Sequence, residues 1–331
     1  MDYRAISENV VYKSDNALNR RAPLPPGAVQ SVARAYEEHK NISSTLNTKR
    51  NARSVLGQAI RRSAEEMDVN AKKAALEGAK KIKEEISVLE MALFDVEENL
   101  LPLALAIPND THPLSPLGPG SAAVTLSTHG PSPIPATTVR DHVTIGKKLG
   151  LLDLESGSTV TGSSWYYLVK ESALLEIALT NYALSIAIKH GFTPVTTPDV
   201  VRSDIASRCG FQPRDNAEPP ISQLYHINSS TSSPSSPDLI LSGTAEIPLA
   251  GMCANKTFPY TSLPLKIVGL GRAFRAEAGA RGADTRGLYR VHQFTKLELF
   301  AVTTAAESEK MMEEMMEVQI AILEGLRFPF R

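Results

Sequence analysis

Between Gly271 and Phe300 the sequence combines a guanidinium, two carboxylates and an aromatic ring on two strand-like runs. Arg275 and Glu277 stand two residues apart on the first run, and Phe294 and Glu298 stand four apart on the second. The connection between the runs contains Gly279, Gly282 and Gly287, so it can turn tightly and let a ligand approach closely. Charged groups beside an aromatic ring predict a surface that holds a nucleotide and a small amino acid side by side.

The alternation of side chains along each strand predicts which residues share a face. Arg275 and Glu277 are expected on one face of the first strand, with Phe274 turned toward the core. On the second strand one face carries Phe294, Lys296, Glu298 and Phe300, and the other carries Gln293, Thr295, Leu297 and Leu299. Antiparallel pairing is expected to put Glu277 and Phe294 near the loop, with Arg275 and Glu298 farther down. Phe294 to Glu298 then spans about 13 Å, which suits an aminoacyl-adenylate laid flat.

Taken alone, an Arg-x-Glu pattern of this kind also fits a salt-bridged amphipathic hairpin without a ligand. The whole run favours a functional site, because FRAEAG, DTRGL and RVHQF follow one another in order. This succession resembles the second signature motif of class II aminoacyl-tRNA synthetases in the form used by seryl-tRNA synthetases. The segment LILSGTAEIPLAG, shortly before it, resembles the Thr-Ala-Glu segment with which that family recognises its amino acid.

The resemblance implies a role for each matching residue. Arg275 would be catalytic, binding the α-phosphate of ATP, and Glu277 would bind the adenine amino group. The implied ATP contacts are Arg275, Ala276, Glu277, Val291 and Phe294, with Phe294 stacking on the adenine. The implied serine contacts are Thr244, Ala245, Glu246, Arg275 and Glu298. His292, also in this run, is interpreted as a structural residue.

Elementary chemistry agrees with these implied roles. The carboxylate of serine is ionised at neutral pH, so its attack on the α-phosphorus of ATP needs no general base. Alignment of the reactants and positive charge from Arg275 and Mg²⁺ would lower the barrier, with no protein metal site assigned. A terminal tRNA hydroxyl would then attack the mixed anhydride. Alanine would be rejected because its lack of a hydroxyl leaves polar groups of the site unpaired.

Composition restricts the class of protein further. With 331 residues the chain has room for two domains, and 42% hydrophobic and 21% charged residues are typical of a globular protein. A net charge of −1 means that any nucleic-acid surface must be local. Cys209 and Cys253 form neither a disulfide framework nor a zinc pattern, and neither is expected to be a nucleophile. No run of about 18 apolar residues is present, so no membrane span is expected.

Residues 1–107 are expected to form a helical arm. From Ala79 to Leu103 apolar residues recur at steps of three and four, which predicts a coiled-coil seam, and the polar stretch RRSAEEMDVN predicts the turn of an antiparallel hairpin. Between Lys49 and Lys83 ten basic residues face four acidic ones. This excess fits a solvated helix face or a surface for RNA phosphates. The resemblance favours an arm that binds tRNA(Ser), through Lys49, Arg50, Arg53, Arg61, Arg62, Lys72 and Lys73.

The remaining chain is expected to contain a linker over 108–140 and a partial catalytic domain over 141–331. The expected fold class is α+β, an N-terminal helical hairpin followed by the antiparallel-sheet domain of class II synthetases. A helix is predicted from about Glu171 to His190, and its apolar face carries Leu175, Ala178, Leu179, Tyr182 and Ile186. Pro198 stands where the family has its first signature motif, which implies a homodimer. INSSTSSPSSPD is interpreted as a disordered surface insertion.

The family continues beyond GLRFPFR, with further strands and a third motif whose arginine contacts ATP. The expectation is therefore that these 331 residues alone are inactive, which serine-dependent ATP–pyrophosphate exchange would refute. Ala283 stands where the family usually has a basic residue. One alternative is a non-catalytic paralogue that binds tRNA or dimerises, and another is a ligase that loads amino acids onto carrier proteins. GTAEIPLAG and GLYRVHQFTKLELF resemble organelle-type sequences, which favours a mitochondrial over a cytoplasmic location.

Overall fold

The structure, a computed structural model, describes residues 1–65, 69–135, 137–211, 222–228, 237–277 and 286–331. The chain divides into two units, residues 1–125 and residues 126–331. The division falls inside the predicted linker, 108–140, so the first unit contains the predicted arm and the second contains the predicted catalytic residues. The insertion INSSTSSPSSPD lies mostly outside the described residues, as do Ala283, Gly279 and Gly282.

Two long helices form an antiparallel hairpin in the first unit, as the sequence predicts. Its helices are α1 (Tyr3–Glu8), α2 (Val10–Asn19), α3 (Ala28–Glu65) and α4 (Val69–Leu105). The antiparallel direction of α3 and α4 follows from side-chain contacts, because Lys49 contacts Glu85 at 2.7 Å while His39, earlier in α3, contacts Glu97, later in α4, at 3.1 Å. The side chain of Asp2 caps α1 by accepting a hydrogen bond from the backbone N–H of Ala5 at 2.9 Å.

The buried seam of α4 shifts by one residue near its end. Ile86 and Leu100 are buried as predicted, but Leu103 is 38% exposed and Ala104 is 1% exposed. An α-helix has 3.6 residues per turn, so a seam that repeats every seven residues drifts around the helix. The base of the hairpin packs into one apolar cluster made of Ile6, Val29, Val32, Leu100, Ala104 and Ile107.

The second unit alternates short strands and helices. Its helices are α5 (His142–Lys148), α6 (Leu154–Val160), α7 (Glu171–Lys189), α8 (Ser203–Arg208), α9 (Glu246–Cys253) and α10 (Ser308–Leu326). Its strands are β1 (Leu152–Asp153), β2 (Tyr167–Leu168), β3 (Thr193–Thr196), β4 (Val200–Arg202), β5 (His226–Ile227), β6 (Leu239–Leu241), β7 (Leu265–Phe274) and β8 (Gln293–Val302).

Strands β7 and β8 form the central antiparallel pair, ten residues on each side. The predicted antiparallel hairpin is confirmed. Strand β3 pairs with β7 in parallel, from Thr193 with Ile267 to Thr196 with Leu270, which the sequence did not predict. A second antiparallel sheet has the order β4, β6, β5 and leads directly into the segment before α9.

Helices α7 and α10 cover one face of the β7–β8 pair. Ala187, Phe192, Val268 and Val318 are buried there, and Leu297 and Leu299 of β8 pack against them. The predicted division of β8 into two faces is therefore confirmed for these leucines. The last helix, α10, begins at Ser308, four residues after Thr304. The Thr304 hydroxyl does bond to Glu307 at 2.9 Å, but a short 3₁₀ turn comes before Ser308.

Helix α7 exposes more apolar surface than its sequence predicted. Of the predicted apolar face, Ile186 packs against the core, whereas Leu175 and Leu179 are 56% and 40% exposed. Leu184 and Ala187 also meet the core. Leu174, Ile177 and Ile188 are also exposed. In the described part of the chain, α7 is the one helix long and apolar enough to cross a membrane, and by itself such a helix is weak evidence for a span.

Candidate active site

Thr244 is buried in the short segment, residues 242–245, that connects β6 to α9. The buried Ser242 hydroxyl donates to the Thr244 carbonyl at 2.6 Å, and the backbone N–H of Phe274 donates to the Ser242 carbonyl at 2.9 Å. These bonds tie the segment between β6 and α9 to the end of β7. Thr244 is 2% exposed, so its hydroxyl must find partners within the protein.

Three side chains meet at the Thr244 hydroxyl. Thr244 Oγ1 donates to Glu298 Oε2 at 2.6 Å, and Lys296 Nζ donates to Thr244 Oγ1 at 3.0 Å. Lys296 Nζ also lies 2.6 Å from Glu298 Oε2. Lys296 and Glu298 reach the same hydroxyl because alternate residues of a strand share a face. We call Thr244, Lys296 and Glu298 the polar triad.

The other two residues of the Thr-Ala-Glu segment have different surroundings. Glu246 is exposed at the start of α9, and its backbone N–H donates to Thr244 Oγ1 at 3.3 Å. Ala245 is 3% exposed and lies close to Gly271 of β7, where an added Cβ would be 3.8 Å from the Ala245 methyl group and 2.6 Å from Thr197 Oγ1. Glycine at 271 therefore leaves room for the Thr197 hydroxyl, whereas the Ala245 methyl group is at an ordinary van der Waals distance.

Arg275 lies just beyond β7, at the loop end of the hairpin. Its backbone N–H donates to the His292 carbonyl at 2.9 Å, which extends the ladder by one bond past Phe274. Its guanidinium carbon lies 5.1 Å from the ring centroid of Phe294, and its Nε donates to the Gly243 carbonyl at 3.3 Å. The side chain thus bridges the ring of Phe294 and the segment that carries Thr244.

The register corrects one prediction about this hairpin. Arg275 was expected beside Glu298, farther from the loop than Phe294. In the structure Glu298 pairs with Gly269 and Phe294 with Ala273, so Arg275 is on the loop side of Phe294. Side-chain alternation fixes the faces of a strand but not which residues lie opposite each other when the loop length is unknown.

The other predicted nucleotide contacts cluster around Arg275. Glu277 has a positive φ of 47° and pairs with Arg290 across the hairpin at 2.9 Å. The backbone N–H of Ala276 donates to the Gln223 carbonyl at 2.9 Å. Val291 is 7% exposed, so it contributes mainly to packing beneath the hairpin.

His292 supports the backbone of Arg275, which agrees with its predicted structural role. His292 Nδ1 lies 3.0 Å from the Arg275 carbonyl oxygen, and the imidazole ring stacks on Trp165 at 5.7 Å between centroids. The ring of Tyr225 lies edge-on to it at 6.1 Å. Burial raises the pKa of the Tyr225 phenol, and the Glu277 carboxylate raises it further, so this phenol stays neutral.

Residues just before and within α5 hold the far side of the hairpin loop. Asp141 accepts from Arg286 Nη2 at 2.7 Å, and His142 Nε2 accepts from the Leu288 backbone N–H at 2.9 Å. Gly287, between them, has a φ of +62°, and a Cβ there would lie 2.2 Å from His142 Nε2. Only glycine fits this close approach. The sequence predicted a tight turn and room for a ligand at Gly287, but not this contact with His142.

Cys209 lacks the environment of a nucleophile. Cys209 and Cys253 are free thiols, and burial, followed by the nearby Glu246 carboxylate, raises the pKa of Cys209. Among the described residues no group of three His, Cys, Asp or Glu side chains is arranged to hold a metal ion.

The predicted tRNA contacts all belong to the hairpin of the first unit. Lys49 and Arg50 are engaged within it, with Glu85 at 2.7 Å and Glu90 at 2.8 Å. The side chains of Arg53, Arg61, Arg62 and Lys73 are exposed. The side chain of Lys72 lies outside the described part of the structure.

Comparison with known proteins decides the family. The mitochondrial serine–tRNA ligase of Schizosaccharomyces pombe is 36% identical over 334 residues, an alignment that covers 100% of this chain and 68% of that protein. This chain belongs to the serine–tRNA ligase family. The serine–tRNA ligase of Rubrobacter xylanophilus is 35% identical over 332 residues, covering 100% of this chain and 74% of that protein.

Two further comparisons support membership of the serine–tRNA ligase family. Residues 229–331 match the family described as "tRNA synthetase class II core domain (G, H, P, S and T)". The fold resembles the crystal structure of seryl-tRNA synthetase from Pyrococcus horikoshii complexed with ATP, with a TM-score of 0.83 and 27% identity. That match covers 100% of this chain and 76% of the other. The expected class, a helical arm followed by an antiparallel-sheet synthetase domain, is thereby confirmed.

Proposed function

We propose that these residues supply the serine-binding and ATP-binding surfaces of an enzyme that joins L-serine and ATP as seryl-adenylate and transfers the seryl group to tRNA(Ser). The observation that carries the proposal is the meeting of Thr244, Lys296 and Glu298 on the same hairpin that holds Arg275 against Phe294. One end offers hydrogen-bonding groups suited to a small polar amino acid. The other offers a cation and an aromatic face suited to a nucleotide.

The amino-acid end is assigned to the polar triad and to Glu246. Glu298 supplies a carboxylate that is four-fifths buried, because its side chain is 20% exposed. Such a group accepts strong hydrogen bonds from a hydroxyl or an ammonium group. Glu246, exposed at the start of α9, supplies a second carboxylate for the ammonium group. Ala245 contributes through packing that fixes the segment between them.

The nucleotide end is assigned to Arg275, Ala276, Glu277, Val291 and Phe294. The serine carboxylate attacks the α-phosphorus, a new carboxylate–phosphate bond forms, and pyrophosphate leaves with the electrons of the broken bond. Arg275 supplies positive charge where negative charge accumulates on the phosphate oxygens. Mg²⁺ enters with ATP as the counter-ion of its phosphates. A terminal hydroxyl of tRNA(Ser) then attacks the acyl carbon, and AMP leaves.

A binding panel tests the amino-acid assignment directly. Isothermal titration calorimetry with the full chain and MgATP is expected to detect L-serine, with much weaker signals for L-threonine, L-proline, glycine and L-alanine. The first three are natural competitors, since the matching family description covers G, H, P, S and T enzymes. Equal affinity for serine and another amino acid of the panel would contradict the assignment to serine.

The arm is proposed to bind tRNA through exposed cations. Arg61 and Arg62 are exposed, whereas Lys49 and Arg50 already pair with carboxylates of α4. The double variant Arg61→Ala/Arg62→Ala is expected to weaken tRNA(Ser) binding about tenfold and to flatten its dependence on salt, because two phosphate contacts are lost. The measurement is a gel shift or fluorescence titration at several salt concentrations. The matched double variant Lys49→Ala/Arg50→Ala is expected to lose less, and the reverse order would contradict this assignment.

A homodimer is proposed through α7 and the segment around Pro198. Helix α7 exposes Leu174 (67%) and Ile177 (59%), and Pro198 is exposed between β3 and β4. A second copy would bury this apolar face.

The double variant Leu174→Glu/Ile177→Glu is expected to convert a dimer to a monomer in light scattering, because it places charges within the buried contact. Val160→Glu, at an exposed position on α6, is the control and should stay dimeric. An unchanged dimer in the α7 variant would contradict the proposed interface.

We further propose a mitochondrial location. The support is the organelle-like character of GTAEIPLAG and GLYRVHQFTKLELF, together with the similarity to the mitochondrial enzyme of Schizosaccharomyces pombe. The alternative is the cytoplasm. Cells are fractionated, and an antibody against the native protein shows whether it is in the mitochondrial or the cytoplasmic fraction.

A further inference from the structure

Lys296 belongs to the polar triad, but the assignments above give its ammonium group no task of its own. It follows Phe294 by two residues and precedes Glu298 by two, so all three share one face of β8. Its ammonium group contacts both other members of the polar triad, at 3.0 Å from Thr244 Oγ1 and 2.6 Å from Glu298 Oε2. Two roles are compatible with this position. The lysine either stabilises the fold or fixes the orientation of the side chains that bind the ligand.

The direction of the hydrogen bonds decides what Lys296 does. An ammonium group only donates, so Thr244 Oγ1 must accept from Lys296 and use its single proton for Glu298. The backbone N–H of Glu246 also points at Thr244 Oγ1, at 3.3 Å. The hydroxyl is therefore fully engaged, with its proton held on Glu298 Oε2. Without the cation this proton could rotate toward other acceptors.

The two carboxylate oxygens of Glu298 have different surroundings. Oε2 receives both Thr244 and Lys296, whereas among the described residues no side chain bonds to Oε1. Glu298 Oε1 is thereby left as an acceptor of fixed orientation.

We propose that Lys296 is a positioning residue for amino-acid selection: through Thr244 and Glu298 Oε2 it fixes Glu298 Oε1 to accept the hydroxyl proton of the ligand. Lys296 itself does not touch the hydroxyl. This inference rests on the proposed binding of serine and extends it, because it names what sets the geometry of discrimination against alanine. A site built to bond a hydroxyl rejects a ligand that lacks it, provided that the acceptor is held in place.

The test compares two non-hydrolysable mimics of the aminoacyl-adenylate, seryl-sulfamoyladenosine and alanyl-sulfamoyladenosine, by calorimetry with the full chain. Lys296→Met, which keeps the length of the aliphatic stem, is expected to weaken the seryl mimic about 10- to 100-fold, the usual range for loss of a charged hydrogen bond. Affinity for the alanyl mimic and for MgATP should change little. The ratio of the affinity for the seryl mimic to the affinity for the alanyl mimic therefore falls. Lys296→Arg should restore most of that ratio.

Controls separate selection from folding. Lys256→Met removes one exposed positive charge from the same unit and should leave both affinities unchanged. Thermal unfolding of each variant is measured alongside. If Lys296→Met weakens the seryl mimic, the alanyl mimic and MgATP equally, or leaves the ratio unchanged, Lys296 is structural and the inference is overturned. If the unmodified chain binds MgATP but neither mimic, the proposed serine site fails, and this inference with it.

Discussion

Replacing Glu298 with glutamine is expected to weaken binding of seryl-sulfamoyladenosine by about 30- to 1000-fold, or roughly 2–4 kcal/mol. The change preserves the shape of the side chain but removes the charge that accepts from Thr244 at 2.6 Å and pairs with Lys296 at 2.6 Å. The ligand then loses a charged acceptor, and Lys296 keeps a partly buried charge without its partner. The quantity to measure is the dissociation constant of the mimic.

Glu314→Gln is the matched control for Glu298→Gln. Glu314 also pairs with a lysine, Lys266, but from α10 on the helix-covered side of the sheet. Its replacement is expected to lower thermal stability without changing affinity for the mimic. If Glu298→Gln binds the mimic as tightly as the unmodified chain, Glu298 does not receive the ligand.

Replacing Arg275 with alanine is expected to weaken MgATP binding by about 100-fold or more, comparable to the 2.7–4 kcal/mol of other preorganised charge contacts. The guanidinium lies 5.1 Å from the Phe294 ring centroid, and its Nε donates to the Gly243 carbonyl at 3.3 Å. It is therefore held beside the surface assigned to the nucleotide before any ligand arrives. The dissociation constant of MgATP is the direct measurement.

Two variants sharpen the test of Arg275. Arg275→Lys keeps the charge but loses the planar fork that stacks on Phe294 and fits phosphate, so it should restore affinity only in part. Arg272→Ala removes an arginine near the end of β7, three residues before Arg275, whose Nη1 instead bonds to Glu176 of α7 at 3.0 Å. It should leave MgATP binding intact. Equal loss in Arg272→Ala and Arg275→Ala would mean that general charge, not position, attracts the nucleotide.

The spacing of apolar residues predicted the helical hairpin and the faces of β8, but it did not predict which residues of β7 and β8 lie opposite each other. The hairpin from Val29 to Leu105 and the two faces of β8 follow from spacing of apolar residues, and the structure confirms both. The relative position of Arg275 and Glu298 depended on the register of β7 against β8, which periodicity does not contain. The parallel partner β3 joins β7 across about 70 residues, and no local pattern predicts such a contact.

The candidate site was also predicted only in part, because its residues come from elements far apart in the sequence. Thr244 and Glu298 are 54 residues apart, so only the resemblance to a family predicted that they act together. Lys296 was placed on the correct face of β8, yet no role followed, because its partner Thr244 comes from another element. A lysine between an aromatic residue and a glutamate on one strand face was the available signal. The need for glycine at position 287 likewise follows only from the structure, where a Cβ would collide with His142.

The most direct test of the account is a crystal structure of the full chain with seryl-sulfamoyladenosine bound. We expect the seryl hydroxyl within hydrogen-bonding distance of Glu298 Oε1, the adenine stacked on Phe294, and the linking sulfamoyl group beside Arg275. A mimic bound elsewhere, or bound on this hairpin with its hydroxyl turned away from Thr244, Lys296 and Glu298, would contradict the proposal that these strands form one site for serine and nucleotide.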